Sequence, residues 1–165
     1  MLRRLLLLLS MLCISMPIPQ EAKALERCKA LAPKIKRAHF YYFGINFPFW
    51  YSVAQAEKES LCRHSALSTD GIGSEGFAQI TWKWWKDKLA KEGIKEIKTI
   101  GNHAKAQAYI NYYYHKQNPC QKLWATYQAY NGGELVYKEI RKANSCKLST
   151  PHGGLGTPNL PINNY

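Results

Sequence analysis

Residues 48–60, PFWYSVAQAEKES, predict the helix around which the rest of this chain is organised. Phe49, Val53 and Ala56 recur at spacings of three and four, which places them on one apolar face. Glu59 follows near the end of the same helix. Its carboxylate can therefore project from a packed element into a cleft.

Two glycine-bounded motifs follow this helix. The first is GFAQIT, residues 76–81, and the second is AYNGG, residues 129–133. The first supplies a glutamine amide, and the second places a tyrosine and an asparagine before a glycine turn. A carboxylic acid that faces sugar-binding amides and an aromatic hydroxyl is suited to cleaving a glycosidic bond.

Glu59-Ser60 and these two motifs resemble, in order and spacing, the soluble lytic transglycosylase (goose-lysozyme-like) family. The family motifs read roughly Glu-Ser, then Gly-Leu-Met-Gln, then Ala-Tyr-Asn-Ala-Gly. The resemblance covers about residues 48–133. It implies a mainly α, lysozyme-like helical domain with a glycine-rich active-site loop. This chain departs from the pattern at Phe77-Ala78, where the family usually has Leu-Met.

The resemblance implies that the chain is a lytic transglycosylase, with peptidoglycan as the substrate and Glu59 as the catalytic acid. Kept neutral by a partly apolar pocket, Glu59 would protonate the oxygen between N-acetylmuramic acid and N-acetylglucosamine. The resulting carboxylate would take the proton of the substrate's own C6 hydroxyl. That oxygen attacks C1 and leaves a 1,6-anhydromuramoyl end. Because the attacking hydroxyl is tethered to the sugar, neither a protein nucleophile, a metal nor a cofactor is expected.

Four further residues are candidate substrate contacts. Gln79 offers an amide donor and an acceptor, which suit an acetamido group. Tyr130 can place its hydroxyl near Glu59, and Asn131 can fix the turn. Ser60 can hold the Glu59 backbone or a sugar hydroxyl, with capping of the helix C-terminus as an equal alternative.

A second carboxylate would change the reaction, since glycoside hydrolysis usually uses two. Glu57 and Glu59 are about 200° apart around a helix and do not easily face one cleft. Glu75 lies in IGSEG, residues 72–76, where the family more commonly has Gly-Ala-x-Gly. A carboxylate there could position water, which would make the protein a muramidase that hydrolyses the same bond. The third alternative is a catalytically inactive module that binds cell wall or nucleic acid.

The N-terminal residues have the pattern of a signal peptide. Two arginines are followed by a largely apolar stretch, residues 5–16, and then by Ala22-Lys23-Ala24, a small-x-small cleavage site. The apolar stretch is shorter than the roughly 20 residues that span a bilayer, which disfavours an uncleaved anchor. We therefore expect residues 1–24 to be removed, leaving an exported, periplasmic or extracellular protein with no stable membrane span.

The expected mature chain is one domain, residues 25–147, followed by a flexible tail, residues 148–165. The tail is rich in glycine, proline and asparagine. Most of the domain is expected to be helical, with an ordered loop between the second and third helices. The predicted helices cover residues 25–39, a stretch from Pro48 past Glu59, and residues 82–92, 102–117, 121–130 and 134–144; the loop covers residues 64–76.

Four cysteines remain after cleavage, and an even number in an exported chain implies two disulfides. A zinc site is disfavoured because no Cys-x-x-Cys pair occurs. Sequence alone allows three pairings. We favour Cys28–Cys62, which ties the first helix to the end of the second, and Cys120–Cys146, which staples the helices on either side of Gly132-Gly133.

The chain is basic, with 23 Lys and Arg against 11 Asp and Glu. Cleavage removes three basic and one acidic side chain, which leaves a net charge near +10. Such a charge attracts polyanions, which outside the cytoplasm are the cell wall and the membrane surface. Nucleic acid is disfavoured as a partner because no nucleic-acid-binding signature is present. The biological setting stays open between phage lysis, wall remodelling and the opening of the wall for secretion or conjugation machines.

Overall fold

The computed structural model describes residues 20–69, 71–142 and Cys146. Within these residues it contains six α-helices and one antiparallel pair of short strands, so the predicted mainly α class is confirmed. None of these helices is both long and apolar enough to cross a membrane. The helices are α1 Gln20–Phe43, α2 Trp50–Ser60, α3 Trp82–Lys91, α4 Ile100–Gln117, α5 Leu123–Gly132 and α6 Leu135–Lys142; the strands are β1 Ser74–Glu75 and β2 Ile80–Thr81.

The first helix is longer than predicted, since α1 begins at Gln20 and ends at Phe43. Its buried apolar side chains recur every three or four residues: Ala24, Cys28, Leu31, Ile35 and Ala38. Because Ala24 continues this stripe one turn before Cys28, the apolar face begins one residue before the predicted start. Residues 1–19 of the predicted signal peptide and the predicted tail, residues 148–165, lie outside the described residues. Cleavage after Ala24 stays a prediction.

The fourth helix, α4, lies at the centre of the fold and packs against α1 and α5. Ala104, Ala106 and Ala108 are all buried. Each of these positions is about 200° around the helix axis from the next, so buried residues lie on opposite sides of α4. Their small side chains let the neighbouring helices approach closely, since the distance between packed helices depends on the side chains at the contact.

The chain reverses sharply where α2 ends. Leu61 and Cys62 both have left-handed backbone conformations, with φ of 55° and 58°. The Cys62 N–H donates to the carbonyl of Ala56 at 3.1 Å, and the Leu61 N–H donates to that of Glu57 at 2.7 Å. These bonds satisfy carbonyls that the end of the helix would otherwise leave unpaired. The predicted loop, residues 64–76, contains β1, which pairs with β2 just beyond the end of that loop.

Both favoured disulfides are present in the structure. Cys28 of α1 bonds to Cys62 just after α2, with their Cα atoms 5.2 Å apart. Cys120 bonds to Cys146, with their Cα atoms 5.4 Å apart. The first fixes the end of α2 against α1 and so limits how far the Glu59 carboxylate can move.

Candidate active site

Glu59 occupies the last turn of α2, where its side chain is half-buried. Burial raises the pKa of its carboxyl group, because the charged form is poorly solvated there. A hydrogen bond from Tyr127 has the opposite effect and lowers the pKa of Glu59. None of the ion pairs among the described residues involves Glu59. The environment therefore favours the protonated acid.

Tyr127 of α5 is the hydrogen-bonding partner of this acid. Its hydroxyl donates to Oε1 of Glu59 at 3.1 Å. Burial, followed by the charge of Glu59, raises the pKa of Tyr127 above its usual value, so the phenol keeps its proton. A phenol that always donates to Oε1 leaves Oε2 as the oxygen that can carry the acidic proton.

Sequence reasoning placed the hydroxyl of Tyr130 near Glu59, but that hydroxyl donates to the carbonyl of Ala78 at 2.7 Å. The direct contact with Glu59 belongs to Tyr127, one turn earlier on the same helix. Tyr130 nonetheless lies close enough for the Glu59 charge to contribute, after burial, to a pKa well above the ordinary tyrosine value. Tyr127 therefore orients the Glu59 carboxyl group, and Tyr130 anchors the segment that contains Ala78.

That segment, residues 76–79, is also bound to the end of α2. The Ser60 hydroxyl donates to the carbonyl of Phe77 at 3.0 Å and accepts from the N–H of Arg63 at 3.0 Å. Ser60 is buried and Phe77 fully so. The serine hydroxyl thus caps the helix and fixes the segment, and it points to no sugar-facing surface.

His103 of α4 supports the same segment from the core. Its Nδ1 is 3.1 Å from the carbonyl of Ile97, and its Nε2 is 3.2 Å from the N–H of Ala78. A carbonyl only accepts and an N–H only donates, so the ring is neutral with its proton on Nδ1. Burial lowers the pKa of His103 to about 4, against the opposing effect of the Ile97 carbonyl. Gly76 lies directly on this ring, since an added Cβ would be 2.1 Å from Cε1.

A cleft of about 260 Å³ opens beside the anchored segment. Gln79, Tyr130 and Asn131, three of the predicted substrate contacts, all line it. The cleft is also bordered by aromatic rings of α3 and α4: Trp84, Trp85 and Tyr114. Amide groups and flat apolar rings on one wall are the features with which proteins bind sugars and their acetamido groups.

Gln79 adopts a left-handed backbone conformation, with φ of 48°. Its side-chain Nε2 donates to the carbonyl of Gly76 at 2.9 Å, which fixes the amide and leaves its oxygen as an acceptor. Asn131 is exposed, and its Nδ2 donates to the carbonyl of Tyr127 at 3.3 Å. Both amides are therefore oriented by local backbone.

Neither Glu59 nor Glu75 is among the residues that line the cleft, although Tyr130, which lines it, is close enough to Glu59 to be affected by its charge. Glu75 pairs with Ile80 in the β1–β2 ladder, and its carboxylate forms an ion pair with Lys98. Its charge acts instead on His103, whose pKa it raises slightly. Glu75 is therefore the ion-pair partner of Lys98, and its charge also acts on His103.

Two residues of the site were missed by the sequence reasoning. Tyr127 lies three positions before Tyr130, and that spacing on a helix could have indicated that both face α2. His103 is one of two histidines in an alanine-rich helix, and no pattern pointed to it. Among the described residues, no group of three or more His, Cys, Asp or Glu side chains is placed to hold a metal ion.

Comparison with known proteins identifies no relative of this chain. The chain matches no family model, and no curated protein matches it. No solved structure matches the fold either.

Proposed function

We propose that this chain is a peptidoglycan lytic transglycosylase built on a lysozyme-like helical domain, and that it acts after export. The observation that carries the proposal is Glu59, a half-buried carboxyl group with a raised pKa, no ion-pair partner among the described residues and an oriented oxygen. A general acid needs this combination, because it must hold its proton near neutral pH and release it in the transition state. The neighbouring cleft offers fixed amides and aromatic rings for the glycan.

The reaction follows from one carboxyl group and the substrate. Glu59 gives its proton to the oxygen that links N-acetylmuramic acid to N-acetylglucosamine, and the bond from that oxygen to C1 breaks. The Glu59 carboxylate then accepts the proton of the C6 hydroxyl while the C6 oxygen forms a bond to C1. The enzyme ends in its starting protonation state, and no water enters the product.

The position of Glu75 favours this reaction over hydrolysis by a muramidase. A water-activating carboxylate must be free to orient a water beside the sugar, whereas the carboxylate of Glu75 is held in an ion pair with Lys98. The discriminating experiment is mass spectrometry of muropeptides released from purified cell walls. Products with anhydro ends support the transglycosylase, and products one water heavier would establish the muramidase. No release at all would favour the inactive binding module.

Glu75→Gln is expected to leave turnover within about threefold of the parent enzyme, since it removes only an ion pair with a largely exposed lysine. Wall clearance and product mass, measured together, check this expectation. A fall as deep as that caused by loss of Glu59, accompanied by reducing-end products from the parent, would assign Glu75 to water activation instead.

Tyr127→Phe should move the pH dependence of the reaction. Activity requires protonated Glu59, so the rate falls as the pH rises through the pKa of that group. The Tyr127 hydrogen bond lowers this pKa, and its removal should therefore shift the basic limb to higher pH. The pH–rate profile of wall cleavage is the measurement.

Tyr130→Phe is the matched control for that shift. Its hydroxyl bonds to the Ala78 carbonyl, so its loss should lower the rate or the stability without moving the limb. If both variants moved the limb equally, or neither did, Tyr127 would not be the group that orients Glu59.

A further inference from the structure

The phenylalanines of this chain have an unusual distribution. Four of the five lie within residues 40–49, and none of these four is buried. The fifth, Phe77, is fully buried in the core. A cluster of large apolar rings at the surface of a protein often indicates an interaction site.

These residues form the last turn of α1 and its connection to α2, which together we call the aromatic tip, residues 40–49. Gly44 provides the left-handed conformation that ends α1, with φ of 86°. Tyr41 and Ile45 are 80% and 78% exposed, so both side chains stand out from the turn. The rings of Phe43 and Phe47 stack on each other, with centroids 4.1 Å apart. The tip therefore combines exposed apolar side chains with stacked aromatic rings.

The charge around the aromatic tip has one sign over long stretches of sequence. Residues 27–56 contain five Lys and Arg and no Asp or Glu, and residues 97–133, which include α4, contain four Lys and likewise no acid. The Nζ of Lys36 lies 5.4 Å and 5.3 Å from the ring centroids of Phe40 and Phe49. The Nζ of Lys116 lies 5.1 Å from the ring centroid of Tyr112, which itself packs on Phe43.

One carboxylate reaches the edge of this surface. Glu92 accepts a hydrogen bond from the hydroxyl of Tyr42 at 3.3 Å. Glu92 directly follows α3, and none of the ion pairs among the described residues joins it to Lys36 or Lys116. The cations beside the rings are therefore not neutralised by ion pairs among the described residues.

We propose that the aromatic tip docks the protein on an anionic lipid membrane, with Ile45 and Tyr41 entering the headgroup boundary. Aromatic side chains favour that boundary, and lysines set behind them pair with acidic headgroups. A glycan fits this surface less well, because sugars need several fixed polar groups, and the only side-chain amide within the tip is Asn46. This inference goes beyond the proposed function and does not depend on it.

The tip contains the last turn of α1, whereas residues 20–24, the last of the predicted signal peptide, form its first turn. α1 has 24 residues and is about 36 Å long, so these two parts of the chain are at opposite ends of it. Docking by the tip would then hold the mature enzyme at a membrane surface after the leader has been removed. The protein to test is therefore the one recovered after export, with its N-terminus established by mass spectrometry.

The experiment is flotation with vesicles of phosphatidylcholine alone or mixed with phosphatidylglycerol, at low and high salt. The parent should float with the anionic vesicles at low salt only. Ile45→Ser should weaken that partition by about tenfold, since it removes one inserted aliphatic side chain. Leu135→Ser is the matched control, because Leu135 is also an exposed aliphatic residue, 66% exposed, at the start of α6. It should change the partition by less than about twofold.

A charge variant and an active-site variant complete the design. Lys36→Gln combined with Lys116→Gln should weaken partition by about tenfold or more and flatten its salt dependence. Glu59→Gln should float like the parent, so that failure of docking and failure of the proposed catalysis are seen separately. Circular dichroism confirms that each variant is folded.

Three outcomes would overturn the proposal. The first is equal flotation with neutral and anionic vesicles, and the second is an equal effect of Ile45→Ser and Leu135→Ser. The third is that the variants lose binding to a partner other than the vesicles. Loss of self-association without lipid would identify a second copy of the chain as the occupant, and loss of binding to lipid-free walls with vesicle binding intact would identify a glycan.

Discussion

Replacing Glu59 with glutamine is expected to lower the rate of wall cleavage by about a thousandfold or more, because general acid catalysis commonly contributes a factor of about 10² to 10⁴. The amide keeps the shape of the carboxyl group, and its oxygen can still accept the hydrogen bond from Tyr127. It has no proton acidic enough to give to the leaving oxygen. Turnover should therefore fall while the fold persists, as measured by muropeptide release and circular dichroism.

The same helix provides the control for this change. Glu57→Gln makes an identical chemical substitution two residues earlier, on a different side of α2. It should retain activity within a few fold of the parent, since Glu57 has no place in the proposed reaction. Full activity of folded Glu59→Gln would remove Glu59 from the mechanism, and equal losses in both variants would point to damage of α2.

The helices of this protein could be predicted because their information is local. In α2 the apolar residues Val53 and Ala56 share one face, and both are buried as the spacing indicates. The position of Glu59 at the end of that helix followed from the same pattern. The order of the helices favoured the pairing of Cys28 with Cys62, which is present in the structure, but sequence alone allowed three pairings.

The contacts between elements could not be predicted in the same way. β1 and β2 have two residues each, too few for an alternating pattern, and the pairing of Ser74 with Thr81 exists only because the chain folds back. The choice of Tyr127 over Tyr130 as the partner of Glu59 depends on how α5 is rotated against α2. That rotation is set by packing across the core, and the sequence motif does not predict it.

Gly76→Ala is expected to destabilise the protein by roughly 3 to 5 kcal/mol and to abolish wall cleavage at ordinary temperatures. Gly76 has φ of 74°, which an alanine adopts at a cost of about 1–2 kcal/mol. Its added Cβ would also stand 2.1 Å from Cε1 of His103. The ring cannot withdraw without breaking its bonds to Ile97 and Ala78, which would leave buried polar groups unpaired. Thermal or denaturant unfolding measures the loss.

Two glycines separate the clash from the backbone strain. Gly71 and Gly93 both have φ of 75°, but an added Cβ meets nothing within 4 Å at either position. Their alanine variants should lose only about 1–2 kcal/mol, so the excess at Gly76 measures the contact with His103.

A double-mutant cycle then tests the contact directly. In a His103→Ala background the ring is gone, and the penalty for Gly76→Ala should fall to that of the two control glycines. The segment from Gly76 to Gln79 would still lack its support from α4, so wall cleavage should stay impaired even as the clash disappears. An unchanged penalty in that background would show that the strain resides in the backbone, and that His103 does not determine why a glycine is required beside the candidate active site.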